Sequence, residues 1–202
     1  MTSAAGVPKL DRISDLQSST FTTPTKRIND GADLTFFLSS TAYRDLMTWL
    51  LQLNRSMFPI KDSESKVQQN LLTSPPAYSK TVQNLRSLIS ELESLIEQAP
   101  PDTGPRRFGN VAFRTWMKLV EEGMDGMLEK YLGNELELMG EKKDGLREEL
   151  KVYLLGSFGS AQRLDYGTGH ELSFLAFLAC LWKLGAFQDG EERAIVVGVI
   201  QP

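Results

Sequence analysis

The sequence is poor in the residues that bind metals and form cross-links. Its 202 residues include one Cys and one His. A single Cys rules out a disulfide framework within the chain and suits a reducing compartment. One Cys with one His all but excludes a zinc site of nitrogen and sulfur ligands. The two cannot form a nucleophilic dyad, because His170 and Cys180 fall ten residues apart on what reads as one helix, roughly 15 Å along its axis. Long apolar runs are also missing. The longest, residues 174–181, is far too short to span a bilayer, and no secretory signal is read at the N-terminus. Positive charge is not in excess: the formal net charge is −4, which argues against nucleic acid as the main partner. A cytosolic or nuclear protein with no membrane span is expected.

Several familiar motifs fail by one residue. Gly167-Thr168-Gly169 lacks the third Gly of a dinucleotide fingerprint, since Leu172 stands there, and no strand precedes it. No Gly-Lys-Ser/Thr is present. His170-Glu171 begins like a zinc-protease helix, but Phe174 occupies the position of the second His. Gly156-Ser157-Phe158-Gly159-Ser160 is not a nucleophile elbow, which centres Ser between two Gly.

One stretch organises the rest: Leu164-Asp165-Tyr166-Gly167-Thr168-Gly169-His170-Glu171, which opens into an apolar run ending at Leu184-Gly185. Thr168 and Glu171 have capping-box spacing, which makes Gly169 and His170 the first helical residues. Gly185 is placed to take the left-handed position after the helix. Apolar residues lie nearly all round it, so it reads as a central core helix. Its N-terminus offers free N–H groups to an anion or a peptide carbonyl. A capping box and nothing more is the commoner role for Thr168 and Glu171, and an exposed first-turn position the commoner one for His170.

The remaining pattern is helical. Hydrophobic residues at 41% and charged residues at 24% fit an ordinary globular domain. Residues 1–20 are rich in Ser, Thr and Ala and are expected to be disordered. Residues 33–38 form a short helix or turn. Residues 41–54 form a helix, capped by Ser39 or Ser40, with Tyr43, Leu46, Met47, Leu50, Leu51 and Leu53 as its apolar face and Trp49 at a helix crossing. A helical piece over residues 65–72 is plausible within a linker. Residues 81–98 form an amphipathic helix that starts at Ser79 or Thr81 and stops at Pro100-Pro101. Residues 111–132 carry an aromatic and Met stripe, residues 133–145 read as a mobile loop, and residues 146–155 as a short helix. Arg106 and Arg107, beside a Gly-Asn turn at a helix mouth, could hold a phosphate, although a solvated pair is commoner on composition alone.

Three blocks carry a family resemblance. Arg163-Leu164-Asp165-Tyr166-Gly167-Thr168-Gly169-His170-Glu171, Arg107-Phe108-Gly109-Asn110-Val111-Ala112-Phe113-Arg114-Thr115-Trp116, and the amphipathic region 21–54 with its Pro24-x-Lys26 opening occur in this order. Together they resemble the phosphotyrosyl phosphatase activator family, activators of serine/threonine protein phosphatase 2A also described as peptidyl-prolyl isomerases. The resemblance implies an all-α, multi-helix single domain over residues 21–202, incomplete at the C-terminus. It implies ATP binding through Arg107, Ala112 and Phe113, with Mg²⁺, though no metal ligands can be named. Phe113 stands where many relatives have Tyr, so stacking survives and a hydroxyl contact does not. It also implies that the loop of Asp165, Tyr166, Gly167, Thr168, Gly169 and His170 lines a groove for a proline-containing peptide, with the phosphatase catalytic subunit as partner. Relatives commonly carry Gly-Asn-Ser where this chain reads Gly159-Ser160-Ala161, which puts one side-chain contact in doubt.

The closing residues 197–202 do not resemble the family's helix, and two later family segments, Glu-Pro-Ala-Gly-Ser and Gly-Val-Trp-Gly-Leu-Asp-Asp, are absent. A truncated, alternatively spliced or misassigned product is therefore expected, marginal in stability or a homodimer. An activator and isomerase, a phosphatase-binding module without catalysis, and an inactive fragment stay open at this point.

Overall fold

The computed structural model describes residues 8–61, 64–68, 75–104 and 109–201. It is all-α, as expected. Helix α1 (Gly31–Leu38) starts on Asp30, whose carboxylate accepts from the N–H groups of Ala32 and Asp33. Helix α2 (Thr41–Ser56) starts on Ser40, whose hydroxyl accepts from the Tyr43 N–H. A two-residue antiparallel hairpin, β1 (Ile60–Lys61) with β2 (Val67–Gln68), follows. The helical piece expected from residue 65 is therefore absent over residues 65–68, where Ser65 takes a left-handed turn at φ 62°. Its remainder lies outside the described residues.

Helix α3 (Lys80–Ser94) is capped by Ser79 and ends in a tighter turn, Leu95–Gln98. It buries Val82, Leu85, Leu88 and Leu92, one stripe at helical spacing. Helix α4 (Ala112–Glu137) kinks at Leu132, where φ is −125°. It runs past the predicted end into the segment expected to be a mobile loop. Leu136 and Met139, 1% and 2% exposed, anchor that segment in the core, and the acidic residues around them hide this short apolar period. A turn, Gly140–Lys142, leads into α5 (Lys143–Gly156), which buries Leu146, Leu150 and Leu154.

Helix α6 (Thr168–Lys183) packs against α5 and α2, while α4 lies against α3 and α5. Gly185 takes the expected left-handed position, φ 78°. Residues 192–200 are helical. Helix α7 (Glu192–Ile195) continues into a wide turn, Val196–Ile200, that packs on α3. Its Gly198 faces Tyr78 so closely that a Cβ would lie 2.8 Å from the ring. Among the described residues no helix is long and apolar enough to cross a membrane.

The core centres on two indoles. Trp49 and Trp182 are buried and pack at a tilt of 40° with ring centroids 5.1 Å apart, so Trp49 does sit at a helix crossing. The face of α2 differs from expectation. It buries Trp49, Gln52 and Leu53, while Met47, Leu50 and Leu51 stay exposed. The apolar arc of α2 is wider than the contact it makes, and Gln52 is drawn inward by specific partners. Its Oε1 accepts from the Leu10 N–H at 2.8 Å, and its Nε2 donates to Glu192 at 2.9 Å. A buried amide so satisfied carries no penalty.

The expectation of a disordered 1–20 tail fails over residues 8–20, the part that is described. Leu10 is 4% exposed, and its carbonyl accepts from the Trp182 indole N–H at 2.8 Å. Arg12 lies over the Trp182 ring at 5.0 Å, and the Ile13 N–H reaches the Lys183 carbonyl at 2.8 Å. Three apolar residues, Leu10, Ile13 and Leu16, meet the core, too few to raise a composition-based signal.

Replacing the fully buried Trp49 with Ala should cost about 3–5 kcal/mol, measured by urea denaturation. Trp49→Phe should cost clearly less, because the Trp49 indole N–H has no hydrogen-bond partner to lose among the described residues.

Candidate functional site

Two loops meet at the end of α5 and the start of α4. The first, residues 157–167, is a tight structure built on its own backbone. Gly159 sits at φ 116° and Leu164 at φ 57°. The Ser160 N–H donates to the Asp165 carbonyl at 3.0 Å, and the Leu164 N–H donates to the Ser160 carbonyl at 2.7 Å. The Ser160 hydroxyl accepts from the Arg163 N–H at 3.1 Å. This Ser supplies a side-chain contact within the loop.

The second loop precedes α4. Asn110 accepts through Oδ1 from the N–H groups of Asp102 and Ala112, both at 3.0 Å, and donates Nδ2 to the Asp102 carbonyl at 3.0 Å. It pins the Pro-rich connection to the mouth of α4. Gly109, at φ 86°, meets the first loop. A Cβ there would lie 2.7 Å from the Leu164 carbonyl oxygen. A Cβ on Gly159 would lie 2.9 Å from the Asp165 carbonyl oxygen, with Phe113 and Tyr166 just beyond. Both positions therefore require glycine twice over, for conformation and for space. Arg114 closes the junction. Its Nε donates to the Ala161 carbonyl at 2.9 Å and its Nη2 to the Gln162 carbonyl at 3.2 Å.

Asp165 is exposed and paired with Arg163, Nε to Oδ2 at 2.6 Å. That hydrogen bond holds its carboxyl below the usual carboxylate value. Tyr166 is 60% exposed and stacks on His170, centroids 5.5 Å apart and planes 23° apart. His170 is half-buried, which corrects the exposed first-turn expectation. Its Nδ1 lies 2.6 Å from the Gly156 carbonyl. A carbonyl only accepts, so Nδ1 carries the proton there. His170 thereby ties the start of α6 to the end of α5.

The expected capping box does not form. Gly167 occupies the N-cap without a side-chain bond, Thr168 is already helical, and the His170 N–H donates to the Gly167 carbonyl at 2.8 Å. The extended backbone of Gly167 starts the helix one residue early, and the His170 bond replaces the cap. Among the described residues a Cβ on Gly167 or Gly169 would meet nothing within 4 Å. The protein's own packing therefore does not require glycine at either position.

Two cavities flank this junction. The larger, about 770 Å³, opens between α2, α6 and the terminal turn, and is lined by Leu53, Met57, Phe174 and Val199 with Tyr166 and Glu171 at one end. The smaller, about 290 Å³, is lined by Ile96, Pro101, Ala112, Phe113, Trp116 and Phe158. Phe158 walls both. Phe113 stacks on Trp116 at 5.5 Å, and Trp116 meets the Phe158 edge at 5.3 Å. Trp116 is fixed by its own N–H, which donates to the Leu92 carbonyl at 2.9 Å.

The six loop candidates, Asp165 to His170, thus lie together, with Tyr166 and His170 in mutual contact. Ala112 and Phe113 share the small cleft. Arg107, the third residue expected there, lies outside the described residues. Among the described residues no group of three or more His, Cys, Asp or Glu could hold a metal ion. Sequence reasoning missed Arg114, Asn110 and Phe158. For Gly109 and Gly159 a signal existed, since an isolated Gly beside polar residues marks a close backbone approach or a left-handed turn.

The structure thus defines a helical domain in which two glycine-hinged loops, clamped by one arginine, separate an apolar groove from an aromatic cleft. Comparison with known proteins assigns this arrangement. The family described as Phosphotyrosyl phosphate activator (PTPA) protein matches residues 24–202, and the chain belongs to that family. The match extends to residue 202. "Serine/threonine-protein phosphatase 2A activator 1" of Emericella nidulans is 52% identical over 204 residues, covering 97% of this chain and 46% of the relative. The protein of the same name from Aspergillus fumigatus is 53% identical, covering 91% and 40%. A solved structure, "PP2A phosphatase activator Ypa1 PTPA1", superposes with a TM-score of 0.76 at 31% identity, over 95% of this chain and 56% of that one. The chain spans about half the length of the curated relatives it matches.

Gly159→Ala should destabilise the domain by about 1–3 kcal/mol through backbone strain, whereas Gly167→Ala should leave stability nearly unchanged. Urea midpoints of the two variants check this contrast. Equal effects would remove the requirement for glycine at residue 159.

Proposed function

We propose that this chain acts as an activator of serine/threonine protein phosphatase 2A. It engages the phosphatase catalytic subunit and isomerises a prolyl bond, assisted by ATP and Mg²⁺. The observation that carries this reading is the junction of the two loops. It sets a peptide-sized apolar groove beside Tyr166 and His170, and keeps a flat aromatic cleft separate at Phe113. Family membership and the names of the relatives support the phosphatase as partner.

Prolyl rotation faces an amide barrier of about 18–20 kcal/mol. Lowering it takes no nucleophile. It takes an apolar surface that strips water from the bond, and donors that favour the twisted amide. The apolar walls at Leu53, Phe174 and Val199 suit the first task. The first N–H groups of α6, at Thr168 and Gly169, have no intrahelical acceptor and suit the second. Open space at Gly167 and Gly169 admits a peptide backbone. Asp165, held ionised by Arg163, fixes the peptide from outside, and Tyr166 closes over it.

The described half of the nucleotide site fits an aromatic base. Phe113 and Trp116, stacked on each other, offer a flat aromatic face, and the small Ala112 lines the same cleft. The phosphates fall to Arg107. Arg114 is already committed to two backbone carbonyls. ATP with Mg²⁺ would supply charge and rigidity at the junction rather than a reacting group.

A second reading, a phosphatase-binding module without catalysis, is favoured by the apolar face of α2 that stays uncovered at Met47, Leu50 and Leu51. The experiment that separates the two is isomerisation of a short Pro peptide by the chain, run beside co-purification with the phosphatase catalytic subunit. Turnover supports the isomerase, and co-purification without turnover supports the module. Within the first reading, Phe113→Ala should weaken ATP binding by at least tenfold in calorimetry. Asp165→Ala should abolish phosphatase activation at unchanged helicity. An unaltered ATP affinity would remove the nucleotide from the Phe113 cleft, and retained activation would remove Asp165 from the peptide groove.

A further inference from the structure

The N-terminal segment is a strap that crosses three helices and ends on a carboxylate. From Leu10 to Ile13 it is bonded to α2 and α6. Lys142 then donates Nζ to the carbonyls of Gln17 and Ser19, the latter at 2.8 Å. Phe21 lies against Gly145 of α5. The last tie is the Thr22 N–H, which donates to Glu149 Oε2 at 3.1 Å. Thr23, Thr25, Lys26 and Arg27 are exposed and belong to no helix or strand, and the Thr23 hydroxyl makes no hydrogen bond among the described residues.

We propose that Thr23 is a phosphorylation site for a proline-directed, base-reading protein kinase, and that the phosphate releases the strap from Glu149. The sequence contains two Ser/Thr-Pro steps, Thr23-Pro24 and Ser74-Pro75. Only the first is followed by cations, Lys26 at the third position and Arg27 at the fourth; the second reads Pro76, Ala77, Tyr78. Pro24 keeps Thr23 out of helical conformation, and it offers an apolar kinase pocket no N–H that would go unpaired. Lys26 supplies the charge that an acidic kinase surface reads. The reaction is a phosphoryl transfer from ATP held by the kinase. The Thr23 Oγ1–phosphorus bond forms, the bond from the γ-phosphorus to the ADP oxygen breaks, and the hydroxyl proton passes to the kinase's base.

The consequence follows from what surrounds Glu149. It is half-buried and has no ion-pair partner among the described residues. Burial, its main influence, pushes its carboxyl upward against the single Thr22 N–H. A phosphate brings a charge of about −1.5 to −2 and disrupts when placed beside a carboxylate. Set one residue from this contact, it repels Glu149 and is drawn outward by Lys26 and Arg27. Residues 19–22 then lift from α5, while the Trp182 end of the strap stays docked.

The test treats the full 202-residue chain with ATP and a purified proline-directed kinase that prefers Lys at the third position. Phosphate is then mapped by mass spectrometry. One phosphate is expected at Thr23, absent in Thr23→Ala and incorporated at least tenfold more slowly in Pro24→Ala and Lys26→Ala. Phosphate at Ser74 alone, or a rate unaffected by Pro24→Ala, overturns the site. Hydrogen exchange at residues 19–22 should quicken at least tenfold on phosphorylation, and unchanged exchange overturns the release.

Discussion

Two peptide backbones pass so closely at Gly109 and Leu164 that no side chain fits between them, a Cβ falling 2.7 Å from the carbonyl oxygen. Most of the site depends on that approach. It brings the mouth of α4 against the loop that launches α6, which puts Phe113 beside Gly159 and aligns Arg114 with two loop carbonyls. Each element alone leaves polar groups unsatisfied. The loop carbonyls at Ala161 and Gln162 find no place in a helix or strand, and a guanidinium answers both with its rigid fork. The approach therefore settles the local hydrogen bonding and the geometry of both cavities together.

The apolar groove and the aromatic cleft share a wall, Phe158. Phe158 packs against Trp116, which packs against Phe113, so the floor of the cleft and one side of the groove are one continuous aromatic cluster. A ligand that orders Phe113 acts on the same packed unit that shapes the groove. On the far side His170 anchors α6 to α5 through one short bond to Gly156, and the two-indole core with its strap holds α6 to α2. The loop region is thus suspended between two rigid attachments.

Much of this was legible in the sequence. The stripe of α3, the start of α2 at Ser40, the left-handed Gly185 and the placing of Trp49 at a crossing follow from spacing and capping, which act within one turn. What failed was decided at longer range. Leu136 and Met139 turn an acidic segment helical because they reach the core. Gln52 is buried because Leu10 and Glu192 meet it there. Met47, Leu50 and Leu51 remain outside because no helix of the described residues covers them. At the site, the order of residues 165–170 marked the loop, but the extended Gly167 starts the helix one residue early and the expected capping box does not form. Arg114 was invisible as a clamp, since its partners are backbone carbonyls 47 and 48 residues away, and carbonyls leave no sequence signature.

The most direct test of the junction is hydrogen exchange on Arg114→Ala. The account predicts that amides of residues 109–113 and of residues 160–165 lose protection together, while those of α3 keep theirs. Loss confined to one loop, with the other unchanged, would contradict it and make the two loops separate structures that lie side by side.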